Sequence, residues 1–155
     1  MKWPKLRELK EAVTSLLKGP YTHPFPAEPT PLPKFVRGKP TYQVDGCIGC
    51  GACAQVCPVR AIEGEEMEVP RVPEGTKRVR RLTLHYDNCV FCGDCVRRCS
   101  TQEGIVFSDQ YELSGFCRAE MVERVEKELV PCELCGKSVG PKDQLLWIYR
   151  KLGAT

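Results

Sequence analysis

The sequence predicts an α+β fold: a small domain with an internal two-fold repeat, an N-terminal amphipathic helix on a proline-rich arm, and a helical C-terminal extension. Three observations predict it. The stretch C-I-G-C-G-A-C-A-Q-V-C-P, residues 47–58, recurs in spacing as C-V-F-C-G-D-C-V-R-R-C-S, residues 89–100. Ahead of it, apolar residues at steps of three and four give way to a run of prolines. Behind it, the chain returns to helical spacing. The divisions that follow are residues 1–40, 41–113 and 114–155.

In the first segment, Trp3, Leu6, Leu9, Val13, Leu16 and Leu17 line one face of an expected helix over residues 3–18, with Lys5, Arg7, Lys10, Glu11 and Lys18 between them. Pro4 suits the first turn, and Gly19-Pro20 is a strong stop. The stretch P-F-P-A-E-P-T-P-L-P that follows is extended and poor in backbone donors, so it reads as a strap. Because proline has already fixed φ, such a strap loses little entropy on docking to a partner.

In the second segment, Val44-Asp45-Gly46 before Cys47 aligns with Tyr86-Asp87-Asn88 before Cys89, and Ile48 and Gly51 align with Val90 and Gly93. E-M-E-V-P and R-V-R-R-L-T-L-H-Y read as hairpin strands around the turn-rich P-E-G-T. Each half is thus a strand, a cysteine loop, a short helix and a strand. In the third segment Met121, Val122, Val125 and Leu129 predict one helix, and Leu145, Ile148, Tyr149 and Leu152 a second, around a C-x2-C pair.

Composition narrows the function classes. A chain of 155 residues suits one domain with extensions. The start M-K-W-P-K-L-R-E-L-K lacks the apolar core of a signal peptide, and no segment reaches the length of a spanning helix. The eleven cysteines are therefore expected inside a cell, reduced, and in service to metals or redox work. A net charge of +3 is too small to imply nucleic acid. The basic run Lys77, Arg78, Arg80, Arg81 reads as a solvated strand face, or as a contact for an acidic partner or membrane surface. His23 and His85 lie in no catalytic constellation, and no catalytic residue is expected.

Structural zinc prefers two separated cysteine pairs, and four thiolates in so tight a run cannot easily surround one tetrahedral ion. An iron–sulfur cube spreads its corners over a larger body. The run C-x2-C-x2-C-x3-C-P resembles the bacterial ferredoxin signature, in which the fourth cysteine ligates the other cluster. That resemblance implies a 2[4Fe–4S] ferredoxin-like domain, with one cluster on Cys47, Cys50, Cys53 and Cys99 and the other on Cys89, Cys92, Cys95 and Cys57. Gly51 and Gly93 would let backbone amides approach cluster sulfur. With every corner taken by cysteine, such clusters pass single electrons and perform no bond chemistry.

With the motif go the N-terminal helix, Pro31-Leu32-Pro33-Lys34-Phe35-Val36-Arg37-Gly38, and S-D-Q-Y-E-L at residues 108–113. Together they resemble the two-cluster ferredoxin-like subunit of respiratory complex I and of membrane-bound [NiFe] hydrogenases, the formate hydrogenlyase type above all. The resemblance implies a non-catalytic relay subunit, peripheral on the cytoplasmic face of the membrane and without a transmembrane helix. Its partners would be a small cluster-bearing subunit, a large [NiFe]-type subunit, membrane subunits, and a ferredoxin or other electron donor. The equivalent subunit of a quinone- or sulfur-reducing complex, a free soluble ferredoxin, and a zinc-stabilised interaction module are the alternatives. One departure is plain: Cys99 is followed by Ser100, where that family has proline, which puts the local backbone and cluster potential in question. Cys117, Cys132 and Cys135 could supply part of a zinc or iron site, or be simple thiols.

Overall fold

Leu6, Leu9, Val13, Leu16 and Leu17 share a face of helix α1 (Leu6–Lys18) in the computed structural model, which describes residues 5–25, 27–28, 30–33, 35–70 and 76–153. The backbone N–H of Lys5 donates to the Glu8 carboxylate at 3.1 Å, occupying a donor that the helix start would otherwise orphan. Gly19 stops the helix in a left-handed-side conformation (φ 76°) that a side chain would resist. Trp3 and Pro4 lie outside the described residues. Every leucine of the stripe is exposed, Leu6 to 87% and Leu16 to 85%. From Pro20 to Lys39 the described residues hold no helix or strand, as proline-rich sequence dictates. The chain divides at Phe35–Val36 into this arm and a second unit.

In the second unit the repeat is visible as two copies of one path. Strand β1 (Pro40–Tyr42) leads to the first cysteine loop, helix α2 (Ala52–Gln55) and strand β2 (Ile62–Pro70). Strand β3 (Thr76–His85) leads to the second loop, helix α3 (Asp94–Arg97) and strand β4 (Ile105–Phe107). The copies interlock. β1 pairs antiparallel with β4, the last strand of the other copy, and β2 pairs with β3 through the expected hairpin. Of the expected P-E-G-T turn, residues 73–75 lie outside the described residues.

The basic run falls on β3 and meets carboxylates across the ladder: Arg78 with Glu68 at 3.0 Å, Arg80 with Glu66 at 2.7 Å, and Arg81 with Glu126 at 2.6 Å. Arg78 is exposed, as a solvated face requires, but Arg80 and Arg81 are half-buried and project to opposite sides of the strand. Such surface pairs contribute about 0.2–1 kcal/mol each. Further along the face that carries Arg78 and Arg80, Leu82 and Leu84 enter the core with Tyr42, Ile62, Tyr86, Ile105 and Val125. Each fully buried leucine or isoleucine here contributes at most roughly 1.5–3 kcal/mol.

The C-terminal segment departs from expectation. Residues 122–131 form strand β5 (Val122–Pro131), not a helix, and strand β6 (Ser138–Pro141) joins it to complete a sheet of order β2-β3-β5-β6. Only the second expected helix forms, as α4 (Lys142–Leu152). The physical reason is the free edge of β3. Seven residues of β3, Val79 to His85, find ladder partners on β5, which offsets the helix propensity of a segment with three glutamates, one lysine and one arginine. Val125 and Leu129 then point inward with Lys127 between them, which hid the two-residue alternation. Glu123 fastens β5 to the repeat: one carboxylate oxygen accepts from the Tyr42 N–H at 2.7 Å and the other faces the Tyr86 hydroxyl.

Candidate metal centres

The two cysteine loops repeat each other in backbone conformation as well as in spacing. Residues with positive φ occur in pairs two positions after the first cysteine (Gly49, 70°; Phe91, 54°), four after it (Gly51, 77°; Gly93, 80°) and three after the fourth cysteine (Arg60, 53°; Gln102, 62°). Only half of these are glycine. A side chain held in that region costs energy, and Phe91, Arg60 and Gln102 bear that cost at the positions where the loop geometry demands it. Alternating left- and right-handed residues turn successive N–H groups towards one side, a concavity suited to anions. The amides act accordingly. Phe91 N–H lies 3.4 Å from Cys89 Sγ and Ala61 N–H lies 3.2 Å from Cys57 Sγ.

Two cavities result. One is lined by Cys47, Cys50, Cys53 and Cys99. The other is lined by Cys57, Cys89, Cys92 and Cys95. Each wall thus draws three cysteines from one run and the fourth from the other. The remaining lining is mostly apolar, including Ile48, Leu82 and Ile105 in the first and Val59, Ile62, Leu84 and Val90 in the second, with Tyr42, Ser100 and Thr101 added in the first and Asp94 in the second. Among the described residues, no three of His, Cys, Asp or Glu converge on a point where a single ion could sit. The sulfurs ring a space instead.

Burial pushes the Cys53 thiol up to about 12 and the Cys95 thiol to about 11, and raises Cys47 and Cys89 as well. Iron must therefore displace protons from these sulfurs on binding. Cys99 differs. Burial raises it too, but the backbone amides of Thr101, Gly104 and Ile105 outweigh that and hold the thiol below its ordinary value.

Several functional residues escaped the sequence reading. Thr101 braces the fourth-cysteine turn: its hydroxyl donates to the Gly46 carbonyl at 2.8 Å and accepts from the Gly104 N–H at 3.0 Å. Lys127 donates to the Val44 carbonyl at 2.6 Å and to Asp143 at 2.7 Å, and its charge favours the Cys47 thiolate. Arg80 donates to the Gly49 carbonyl at 3.2 Å, and Arg37 to the Cys92 carbonyl at 3.3 Å. Aligning the halves could have found one more: Tyr42, five residues before Cys47, stands where Leu84 precedes Cys89.

The third cysteine group stays apart. Cys132 and Cys135 sit in the turn between β5 and β6, closed by Gly136 N–H to Cys132 O at 2.8 Å. Backbone amides of Cys135 and Leu134, with the Cys135 side chain, hold the Cys132 thiol below its usual range. Cys117 and Cys135 are exposed.

A family described as "4Fe-4S dicluster domain" matches residues 46–102. NADH-quinone oxidoreductase subunit I 2 of Geobacter metallireducens is 30% identical over 124 residues, covering 77% of this chain and 91% of that protein. The chain belongs to the NADH-quinone oxidoreductase subunit I family. Its cofactors are two [4Fe–4S] clusters, and the donor set fits them: eight thiols around two cavities, with amides turned inward. Formate hydrogenlyase subunit 6 of Escherichia coli is 43% identical over 47 residues, 30% of this chain and 26% of that protein. A chain in the structure of the membrane-bound sulfane sulfur reductase (MBS), an archaeal respiratory membrane complex, is similar with 30% identity and a TM-score of 0.47, covering 78% of this chain and 61% of that one. The chain thus spans most of the first relative and about a quarter of the second.

Proposed function

We propose that this chain relays single electrons through two [4Fe–4S] clusters as a peripheral, non-catalytic subunit of a membrane-bound oxidoreductase. One cluster is held by Cys47, Cys50, Cys53 and Cys99, the other by Cys89, Cys92, Cys95 and Cys57. The observation that carries this reading is the pair of cavities, each lined by four cysteines drawn from both runs. With four cysteine ligands per cluster, no iron is left open for a substrate, so the chain's task is placement and tuning. Its loops supply inward amides, its apolar walls restrict water, and the exchange of the fourth cysteine ties each half to the other.

The arm reads as the attachment. Helix α1 displays Leu6, Leu9, Leu16 and Leu17 to solvent, a stripe suited to a partner surface at the cytoplasmic side of the membrane. No helix among the described residues is long and apolar enough to cross a membrane, so attachment would go through other subunits. The local likeness to a formate hydrogenlyase subunit favours a complex with a small cluster-bearing subunit and a large [NiFe]-type subunit. The longer alignment favours the quinone-reducing counterpart. A chain lacking residues 1–38 should keep about eight irons and matching acid-labile sulfide, as two four-iron clusters require, but lose co-purification with its membrane partners. Zinc without sulfide would sink the relay, and an undiminished complex would sink the docking arm.

A further inference from the structure

The two cavities differ in hydroxyl groups. In the first, Ser100 Oγ lies 3.4 Å from Cys50 Sγ, and Tyr42 Oη lies 3.9 Å from Cys53 Sγ. The repeat supplies its own control. The counterpart of Ser100, one residue past the fourth cysteine, is Pro58, and the counterpart of Tyr42 is Leu84. Both line the second cavity, and neither has a proton to donate. A cysteine bound to iron is a thiolate, so in each O···S contact of the first cavity the hydroxyl is the donor. Thr101 does not join them. Its hydroxyl is also 3.4 Å from a sulfur, that of Cys99, but its single proton goes to the nearer Gly46 carbonyl at 2.8 Å.

We propose that Tyr42 and Ser100 tune one cluster alone, their hydroxyls donating to the sulfurs of Cys53 and Cys50 and raising the potential of the cluster on Cys47, Cys50, Cys53 and Cys99. The inference rests on the two-cluster reading above. A one-electron reduction adds negative charge that spreads onto the ligand sulfurs, so a donated hydrogen bond stabilises the reduced cluster more than the oxidised one. Burial acts the other way, because a dry site disfavours the added charge. Cys47 and Cys53 are each only 8% exposed, while Cys92 is exposed. The hydroxyls therefore sit where dehydration would otherwise depress the potential, and the wetter cavity does without them. When one electron passes between the clusters, one is oxidised and the other reduced by that electron, with no proton required. The hydroxyls bias this exchange towards the first cluster.

The test is a redox titration of the full-length, cluster-loaded protein, followed by electron paramagnetic resonance. Cys57→Ser identifies the signal of the second cluster by its damage. Ser100→Ala should make reduction of the first cluster about three- to tenfold less favourable, in line with one lost hydrogen bond; tenfold is about 59 mV for a one-electron couple. Tyr42→Phe, with its longer contact, should give a smaller shift of the same sign. Ser100→Thr, which keeps the hydroxyl, should restore the wild-type value. An unmoved potential in Ser100→Ala with both clusters present, or an equal movement of both, overturns the proposal. Iron and sulfide are counted on each sample. A wild-type count short of two clusters would overturn the two-cluster reading instead, whatever the potentials do.

Discussion

Cys47 and Cys53 are buried, whereas their counterparts Cys89 and Cys95 are only half-buried, although both loops carry left-handed residues at the same three positions. The backbone of each loop follows from the cysteine spacing, and what surrounds it does not. The first loop lies under the chain that follows the repeat. Lys127 and Pro141 pack on Gly49 so closely that a Cβ there would come within 2.9 Å of Lys127. The second loop rests on Phe107 and Arg37 and leaves Cys92 exposed. One template was thus given a dry setting in one copy and a wetter one in the other. For a relay this matters, because burial and hydrogen bonding are what separate the potentials of clusters with identical ligands.

The largest effect would come from crossing the halves. Cys57→Ser should abolish or convert the cluster on Cys89, Cys92 and Cys95 while sparing the one whose run Cys57 belongs to. Spectra resolving the two clusters decide it, and damage confined to the Cys47 side would break the comparison by showing that each run serves itself.

Smaller is the effect of adding one methyl group at equivalent glycines. Gly51 and Gly93 share a left-handed φ, so Gly51→Ala and Gly93→Ala should both cost about 1 kcal/mol or more from backbone strain. No protein atom lies within 4 Å of a Cβ at Gly51, whereas one at Gly93 would meet the Phe107 ring at 2.8 Å. Gly93→Ala should therefore be the less stable by a further 1 kcal/mol or so, from overpacking. Thermal unfolding of the two variants measures the difference. Equal costs would mean that the ring yields.

Asp143→Ala tests what the C-terminal chain does for the first loop. Lys127, with a side chain 10% exposed, would keep only the Val44 carbonyl. Because Asp143 is nearly half exposed, the loss should be about 1–2 kcal/mol, well below that of a fully buried pair. It should disturb the first cluster's signal and leave the second alone.

The smallest effect lies in the hairpin, beyond the core on the face that carries Ile62 and Leu82. A hydrogen bond from Arg80 holds the Glu66 carboxyl below its ordinary value. A depressed carboxyl stabilises the fold above the unfolded pKa of about 4.3 and loses that contribution as pH falls through the folded value. Glu66→Gln should cost well under 1 kcal/mol at neutral pH and remove a little of the acid sensitivity. Denaturant midpoints at pH 7 and pH 3 would show it, with both clusters unchanged.

Legibility followed the range of the interactions involved. The cysteine runs, helix α1 and its glycine stop, and the hairpin strands were readable because their signals repeat within a few residues. The segment around Lys127 was not. Val125 and Leu129 satisfy a helical step and an inward strand face alike, and a lysine between two buried positions argues against alternation. Only Asp143 and the Val44 carbonyl, 16 and 83 residues away, make that lysine an inward residue. The donors of the first cavity were half legible: Ser100 stood out as a departure, while Tyr42 looked like any apolar strand residue.

By itself, then, the sequence determined the chemistry of this protein. Cysteine spacing is a local constraint, and a tight turn that aims three sulfurs and several amides into one cavity can form in only a few backbone conformations. The tertiary structure decided which half keeps its loop dry, where the segment after the repeat goes, and which hydroxyls reach a sulfur. Those outcomes depend on the free edge of β3 taking β5 as its partner and drawing Glu123, Lys127 and α4 over the first loop. Strand pairing across forty residues is governed by the competition among all available edges, and no window of the chain contains that competition.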